Sequence, residues 1–163
     1  MRNFFTWRGN LGDFQGEAVW SWGSAAGTGA GPSAYETRPH YQDSIKNVVG
    51  SARGAPDVAA VADPSTGVWI YRGGWYLVGG TSVATPIWAG IVNAAGRFST
   101  STVAELTQIY SKPFLFAEIP PGFSDISSGT CGMSATGVFD VYIATPGWDF
   151  CTGLGSPSGY FGK

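Results

Sequence analysis

The sequence predicts a single domain built from both strands and helices, on three observations. A hydrophobic content of 44% over 163 residues supplies enough apolar side chain for one core of ordinary domain size. Two short runs enriched in β-branched and aromatic residues, 67–71 and 75–78, flank Arg72-Gly73-Gly74 and read as a hairpin. Directly after them, apolar residues at Ile87, Trp88, Ile91, Val92 and Ala95 recur at helical spacing.

Earlier in the chain, Trp20 and Trp22 precede Gly23, Gly27, Gly29, Gly31 and Pro32, a pattern that predicts an exposed loop over 25–32. A brief helix is expected over 41–49. Arg53-Gly54-Ala55-Pro56 then turns the chain into 57–62, which reads as a short buried segment. Gly79-Gly80-Thr81-Ser82 interrupts the strand pattern, and a buried helix is expected from Val83 to about Gly96, with Ser82 at its entrance. Pro86 fits that placement, because first-turn amides lack intrahelical partners and proline gives up little there. A weaker helix is expected over 102–110. Pro113, Pro120, Pro121 and many glycines predict loop and short strand for the last third.

Loops of that length usually need a staple. Cys131 and Cys151 both fall there, and a disulfide between them would contribute roughly 3 kcal/mol by restricting the unfolded chain. Metal ligation by this pair alone is disfavoured.

Charged residues make up only 12% of the chain, the formal net charge is -2, and Lys and Arg never cluster. The electrostatic footprint that phosphate backbones demand is missing, which argues against a nucleic-acid partner. Twenty-five glycines and seven tryptophans, with frequent Ser and Thr, suit a secreted protein. Low charge also suits work in acid, where protonated carboxylates would otherwise leave positive charge unopposed. No run has the length of a signal peptide or a membrane span. No membrane partner is therefore expected, and any export signal of the parent protein is expected outside this chain.

A serine hydroxyl becomes a nucleophile only when a base takes its proton and donors stabilise the resulting oxyanion. Gly79-Gly80-Thr81-Ser82-Val83-Ala84-Thr85-Pro86 places Ser82 where a strand turns into a helix, near backbone N–H groups and the positive end of a helix dipole. Glycines there let a substrate chain come close. A plain helix N-cap is the alternative reading of the same residues.

The whole string resembles the nucleophile motif shared by subtilisins and sedolisins, Gly-Thr-Ser with proline four residues later. Trp75-Tyr76 and Ile87-Trp88-Ala89-Gly90 look like its sedolisin version. Similar sedolisin segments are Ser33-Ala34-Tyr35-Glu36-Thr37-Arg38-Pro39, Pro56-Asp57-Val58-Ala59-Ala60-Val61-Ala62-Asp63-Pro64, Phe123-Ser124-Asp125-Ile126 and Gly147-Trp148-Asp149. The resemblance covers most of 16–160. It implies an α/β, subtilisin-like fold with a parallel sheet and flanking helices. Residues 1–163 would be the C-terminal portion of one peptidase catalytic domain, with a loop-rich calcium-binding region over 111–163.

The implied activity is serine-carboxyl peptidase hydrolysis of peptide bonds in acid, by endopeptidase or tripeptidyl-peptidase action. Ser82 would be the nucleophile, a Glu its base and an Asp the group that orients the Glu, with a further protonated Asp as oxyanion donor. A carboxylate still accepts a proton at pH values where histidine is charged. The family's Glu and Asp motifs lie upstream of the region this chain matches, and none of them occurs here. Glu17 and Glu36 are the only glutamates before Ser82, and neither has an Asp one helical turn further on. Asp57 and Asp63 adjoin prolines in turn-like settings and are read as structural. His40, the only histidine, is read as a loop residue.

Calcium prefers several hard oxygen ligands held in tight loops. The resemblance implies Asp125 and Asp149 as side-chain ligands and Ile126, Thr145 and Gly147 as carbonyl ligands, Thr145 standing where the family usually has glycine. The residues alone also allow Asp125 to cap a turn and Asp149 to accept hydrogen bonds from the Thr152-Gly153 loop. The implied partners are a peptide or protein substrate and the N-terminal half of the same catalytic domain, and the isolated chain is expected to be inactive. Two other readings stay open: a catalytically silent, calcium-stabilised fragment or binding module, and a subtilisin-type protease fragment.

Overall fold

Residues 16–22, 27–111, 122–132 and 141–158 are described by the computed structural model. The first strand, β1 (Gly31–Thr37), pairs antiparallel with β2 (Ala52–Ala55). Between them a 3-10 turn, His40–Ile45, runs into a single α-turn, α1 (Lys46–Val49), as the amphipathic pattern over 41–49 predicts. The Arg38 side chain closes this excursion. It bonds Asp43 at 2.9 Å and the Gly50 carbonyl, while its amide donates to Ser51.

The loop expected over 25–32 is corrected in part. Gly27 bridges Ser21, the buried Thr28 donates its N–H to the Trp20 carbonyl at 3.2 Å, and β1 has begun by Gly31. Backbone pairing with the preceding Trp20–Trp22 stretch takes up groups that a free loop would leave to water. Residues 25 and 26 of that expectation lie outside the described residues.

Strands β3 (Val68–Tyr71) and β4 (Trp75–Val78) form the expected hairpin across Arg72-Gly73-Gly74, in register from Val68 opposite Val78 to Tyr71 opposite Trp75. Both faces of the ribbon are apolar and open. Trp69 and Tyr71 are 61% and 69% exposed, and Tyr76 on the other face is 55% exposed.

Helix α2 (Thr81–Ala95) ends at a left-handed Gly96, and α3 (Thr102–Tyr110) is capped by the Ser101 hydroxyl, which accepts the Ala104 amide at 3.1 Å. The burial expected of α2 is corrected: Ala84 is its buried residue, Trp88 and Ile91 are half-buried, and Pro86 and Ala89 are exposed. The inward positions 84 and 88 meet the body of the molecule, but among the described residues no layer covers the rest of the apolar stripe.

The described residues of the last third, 122–132 and 141–158, are loop with two-residue strands, as the sequence predicts; Pro113, Pro120 and Pro121 lie outside the described residues. Here β5 (Phe123–Ser124) pairs with β8 (Ser156–Pro157), and β6 (Thr130–Cys131) with β7 (Tyr142–Ile143). Cys131 and Cys151 are disulfide-bonded. Every strand pair among the described residues is antiparallel, so the parallel sheet implied by the resemblance is not among them. The stretch 57–63, expected to be buried over 57–62, is buried at Ala59, Ala60, Ala62 and Asp63 and half-buried at Asp57, Val58 and Val61, and it forms no ladder. It is held instead by single bonds: Leu154 N–H to the Asp57 carbonyl at 2.9 Å, Ala59 N–H to the Gly155 carbonyl at 2.8 Å, and Gly80 N–H to the Ala62 carbonyl.

Two apolar clusters flank this stretch. One gathers Val19, Trp20, Ala59, Ile126 and the disulfide; the other gathers Ile45, Val49, Ile109, Trp148 and Leu154, with Trp88 packed against it. At the edge of the second, the Gln42 side chain exchanges two 2.9 Å bonds with the Gly54 backbone. The Tyr110 hydroxyl donates to Asp57 at 3.0 Å and accepts from the Trp148 indole at 3.0 Å. Burial among these groups pushes the Tyr110 phenol well above its ordinary value.

Candidate active site

Ser82 lies in the first turn of α2 and is exposed. The turn that presents it requires glycine twice. A Cβ at Gly79 would stand 2.4 Å from the Pro64 Cα and 2.5 Å from its nitrogen, and Gly80 has φ 98°. Gly80 is the helix N-cap, and its carbonyl accepts the Val83 amide at 2.9 Å. The plain N-cap reading of Ser82 is therefore displaced: Gly80, which has no side chain, holds that position, and Ser82 is helical and exposed. The amides of Thr81 and Ser82 sit where an α-helix has no intrahelical acceptor, and the macrodipole adds partial positive charge there.

Asp63 and Pro64 anchor the same turn. The fully buried Asp63 accepts the Ser65 amide at 2.9 Å and caps the 3-10 turn Pro64–Thr66, the structural role read from the sequence.

The predicted calcium residues fall into one neighbourhood. Asp125 Oδ2 accepts the Gly147 amide at 2.9 Å across 22 residues, which joins the loop after β5 to the loop after β7. Asp149 Oδ2 accepts the Thr145 amide at 3.0 Å, while its Oδ1 accepts the amides of Cys151 and Thr152 at 2.7 and 2.9 Å and the Thr152 hydroxyl at 3.2 Å. The hydrogen bonding to the loop after Asp149 that the residues alone allow is therefore present, but it occupies Oδ1 only. Ile126 is fully buried and Gly147 is buried. Burial raises both carboxyls above their ordinary value despite the amides that work against it. Among the described residues no three His, Cys, Asp or Glu side chains gather around one point. A cation here would therefore rely on carbonyls beside Asp125 and Asp149.

Comparison with known proteins decides the lineage. Kumamolisin of Bacillus sp. (strain MN-32) is 36% identical over 158 residues, which is 92% of this chain and 27% of that protein. Sedolisin of Pseudomonas sp. (strain 101) is 34% identical over 154 residues, 90% of this chain and 25% of that protein. A solved structure of Pseudomonas sedolisin, a serine-carboxyl proteinase complexed with two molecules of pseudo-iodotyrostatin, superposes with a TM-score of 0.65 at 33% identity, covering 88% of this chain and 39% of that one. The chain belongs to the sedolisin family. No protein-family model matches it, and it spans 27% and 25% of the two named relatives.

In this member of the sedolisin family the acidic and basic side chains passed over in the sequence are engaged elsewhere. Glu36 faces Arg53 at 3.8 Å, Asp57 is bonded by Arg53, Gln42 and Tyr110, and the exposed His40 lies 3.3 Å from Asp43. Glu17 hydrogen-bonds the buried Ser156, and burial raises its carboxyl. Among the described residues no carboxylate or imidazole hydrogen-bonds the Ser82 hydroxyl. The Glu17–Ser156 and Trp148–Tyr110–Asp57 contacts were not foreseen from the sequence; pairs so far apart in the chain leave no local pattern.

Proposed function

We propose that this chain is the nucleophile-bearing, C-terminal part of a subtilisin-like serine-carboxyl peptidase domain that hydrolyses peptide bonds in acid. The observation that carries it is the Gly79-Gly80-Thr81-Ser82 turn, which sets an exposed serine on the first turn of a helix. Ser82 Oγ attacks the scissile carbonyl, and the first-turn amides and helix dipole favour the negative charge that develops near them. The proton of Ser82 passes to a carboxylate, which at acid pH remains a base where an imidazole is already charged. None of the described carboxylates holds that position, so the base, its partner and the oxyanion donor come from the preceding half of the domain. That half is also the partner that covers α2 and completes a parallel sheet beside 57–63. Peptides or proteins are the substrate, and secretion of the parent protein agrees with the low charge and the disulfide.

Calcium fits the neighbourhood of Asp125 and Asp149. Asp149 Oδ2 carries one amide where Oδ1 carries three donors, the two loops are already tied together, and all the available donors are hard oxygens. The side chains of Asp125 and Asp149 and the carbonyls of Ile126, Thr145 and Gly147 would hold the ion, which would supply structural charge neutralisation to buried carboxylates.

The test is peptide hydrolysis between pH 3 and pH 8, a range bracketing ordinary carboxylate and histidine values. This chain is compared with a fusion to the upstream part of the kumamolisin domain, each with its Ser82→Ala variant. Acid cleavage by the fusion that disappears in Ser82→Ala is expected, with none by the chain alone. Cleavage near neutral pH that depends on His40 would instead establish subtilisin-type chemistry. No Ser82-dependent cleavage in either form would favour a silent binding module, the reading that a Ser82 hydroxyl without a base among the described residues also permits.

A further inference from the structure

Besides the buried Ala84, two hydrogen bonds fasten helix α2 to the rest of the described chain. At its start the Gly80 N–H donates to the Ala62 carbonyl; within it the Trp88 Nε1–H donates to the Ala59 carbonyl at 2.9 Å. Both acceptors belong to the same buried stretch, and Ala59 in turn donates its own N–H to Gly155. The Trp88 ring also stacks on Phe123, with centroids 6.0 Å apart and planes inclined by 24°. Phe123 is buried, lies in β5, and stands two residues before Asp125. Most of the remaining helix surface is open.

We propose that Trp88 is a positioning residue that transmits the state of the Asp125 loop to the helix bearing Ser82. This rests on the calcium reading above and extends it from the loops to the nucleophile. The physical basis is leverage. The start of α2 is held by the Gly80 bond and the buried Ala84; the indole adds a hold one turn further along and so constrains the direction in which the Ser82 turn faces. Its two contacts, a hydrogen bond to 59 and a ring stack on 123, join the helix to both segments that pack beside the Asp125 and Asp149 loops. A cation that orders the Asp125 loop orders Phe123, and Phe123 limits the movement of Trp88. Ser82 is exposed and lies six residues before Trp88, so Trp88 acts through the helix and not on a reacting atom.

The experiment measures calcium binding by calorimetry and backbone hydrogen exchange by mass spectrometry on the full chain, with and without calcium chloride and with magnesium chloride as control. Calcium is expected to slow exchange over 87–95 by about tenfold in the unaltered chain and by less than about twofold in Trp88→Ala. Trp88→Phe, which keeps an aromatic face but loses the N–H, should recover part of the protection. Equal protection in Trp88→Ala and the unaltered chain overturns the proposal, as does calcium binding that leaves α2 unchanged in the unaltered chain. Should Trp88→Ala fail to fold, Phe123→Leu removes the ring stack without touching α2: lost protection supports the coupling and full protection overturns it. Absence of any calorimetric calcium binding removes the calcium reading itself, and the coupling with it, a result distinct from binding without transmission.

Discussion

Replacing both cysteines, Cys131→Ala with Cys151→Ala, isolates the contribution of the disulfide. The bond spans a sequence separation of 20, and a closed loop of that length removes about 11 cal/mol/K from the unfolded ensemble, or about 3 kcal/mol at 25 °C. Both cysteines are buried, Cys131 at 4% and Cys151 at 0% exposure, so alanine avoids leaving a hydroxyl in the core. The Cys151 amide is one of three donors on Asp149 Oδ1 and survives the substitution, so the change reports mainly the cross-link. Urea unfolding in the presence of a chelator is the assay, because calcium bound to the folded chain alone would add its own stabilisation. With a denaturant slope of about 2 kcal/mol/M for a chain of this size, the midpoint should fall by about 1.5 M. A shift below about 0.5 M with an unchanged slope would refute the loop-entropy reasoning and show that the residues of the last third are held by packing alone.

Two further outcomes follow from particular contacts. Glu17 has its carboxyl raised above 4.5, chiefly by burial, with the Ser156 hydrogen bond opposing. The folded state therefore holds that proton more tightly than the unfolded one, so stability is greatest below the ordinary carboxylate value and declines as pH rises through the raised value. Glu17→Gln should flatten that decline, and pH-dependent thermal melts in which both proteins lose stability in parallel above pH 4.5 would contradict it. Gly79→Ala would press a Cβ onto Pro64 backbone atoms at 2.4 and 2.5 Å, which should cost about 2 kcal/mol or more. A urea midpoint indistinguishable from that of the unaltered chain would show that the Ser82 turn moves aside freely.

Features set by neighbouring residues could be read from the sequence. The β3–β4 hairpin follows from two β-rich runs around Arg72-Gly73-Gly74, and α3 falls on the stretch 102–110 expected to be helical, while its Ser101 cap is a finding of the structure. The turn before Ser82 was legible because its glycines and the following helix are contiguous. What depends on distant groups was not legible. Strand β1 exists because Ala52–Ala55 returns to pair with it, and nothing within 31–37 announces that return. The exposure of α2 is a property of what lies over it, and its apolar spacing suits a covered helix equally well. Asp125 and Asp149 could be placed in one region by resemblance, but the amide that Gly147 gives to Asp125 comes from 22 residues away.

Glu17 meets Ser156 across 139 residues, and Val19 and Trp20 share their cluster with Ala144 and Cys151. A ribosome adding about 5–20 residues per second leaves Trp20 waiting on the order of ten seconds for the residues that cover it. The first cluster therefore closes only after Ala144 and Cys151 have left the ribosome. Losing Cys151 alone would cost that cluster a fully buried member and the bond that ties it to Cys131.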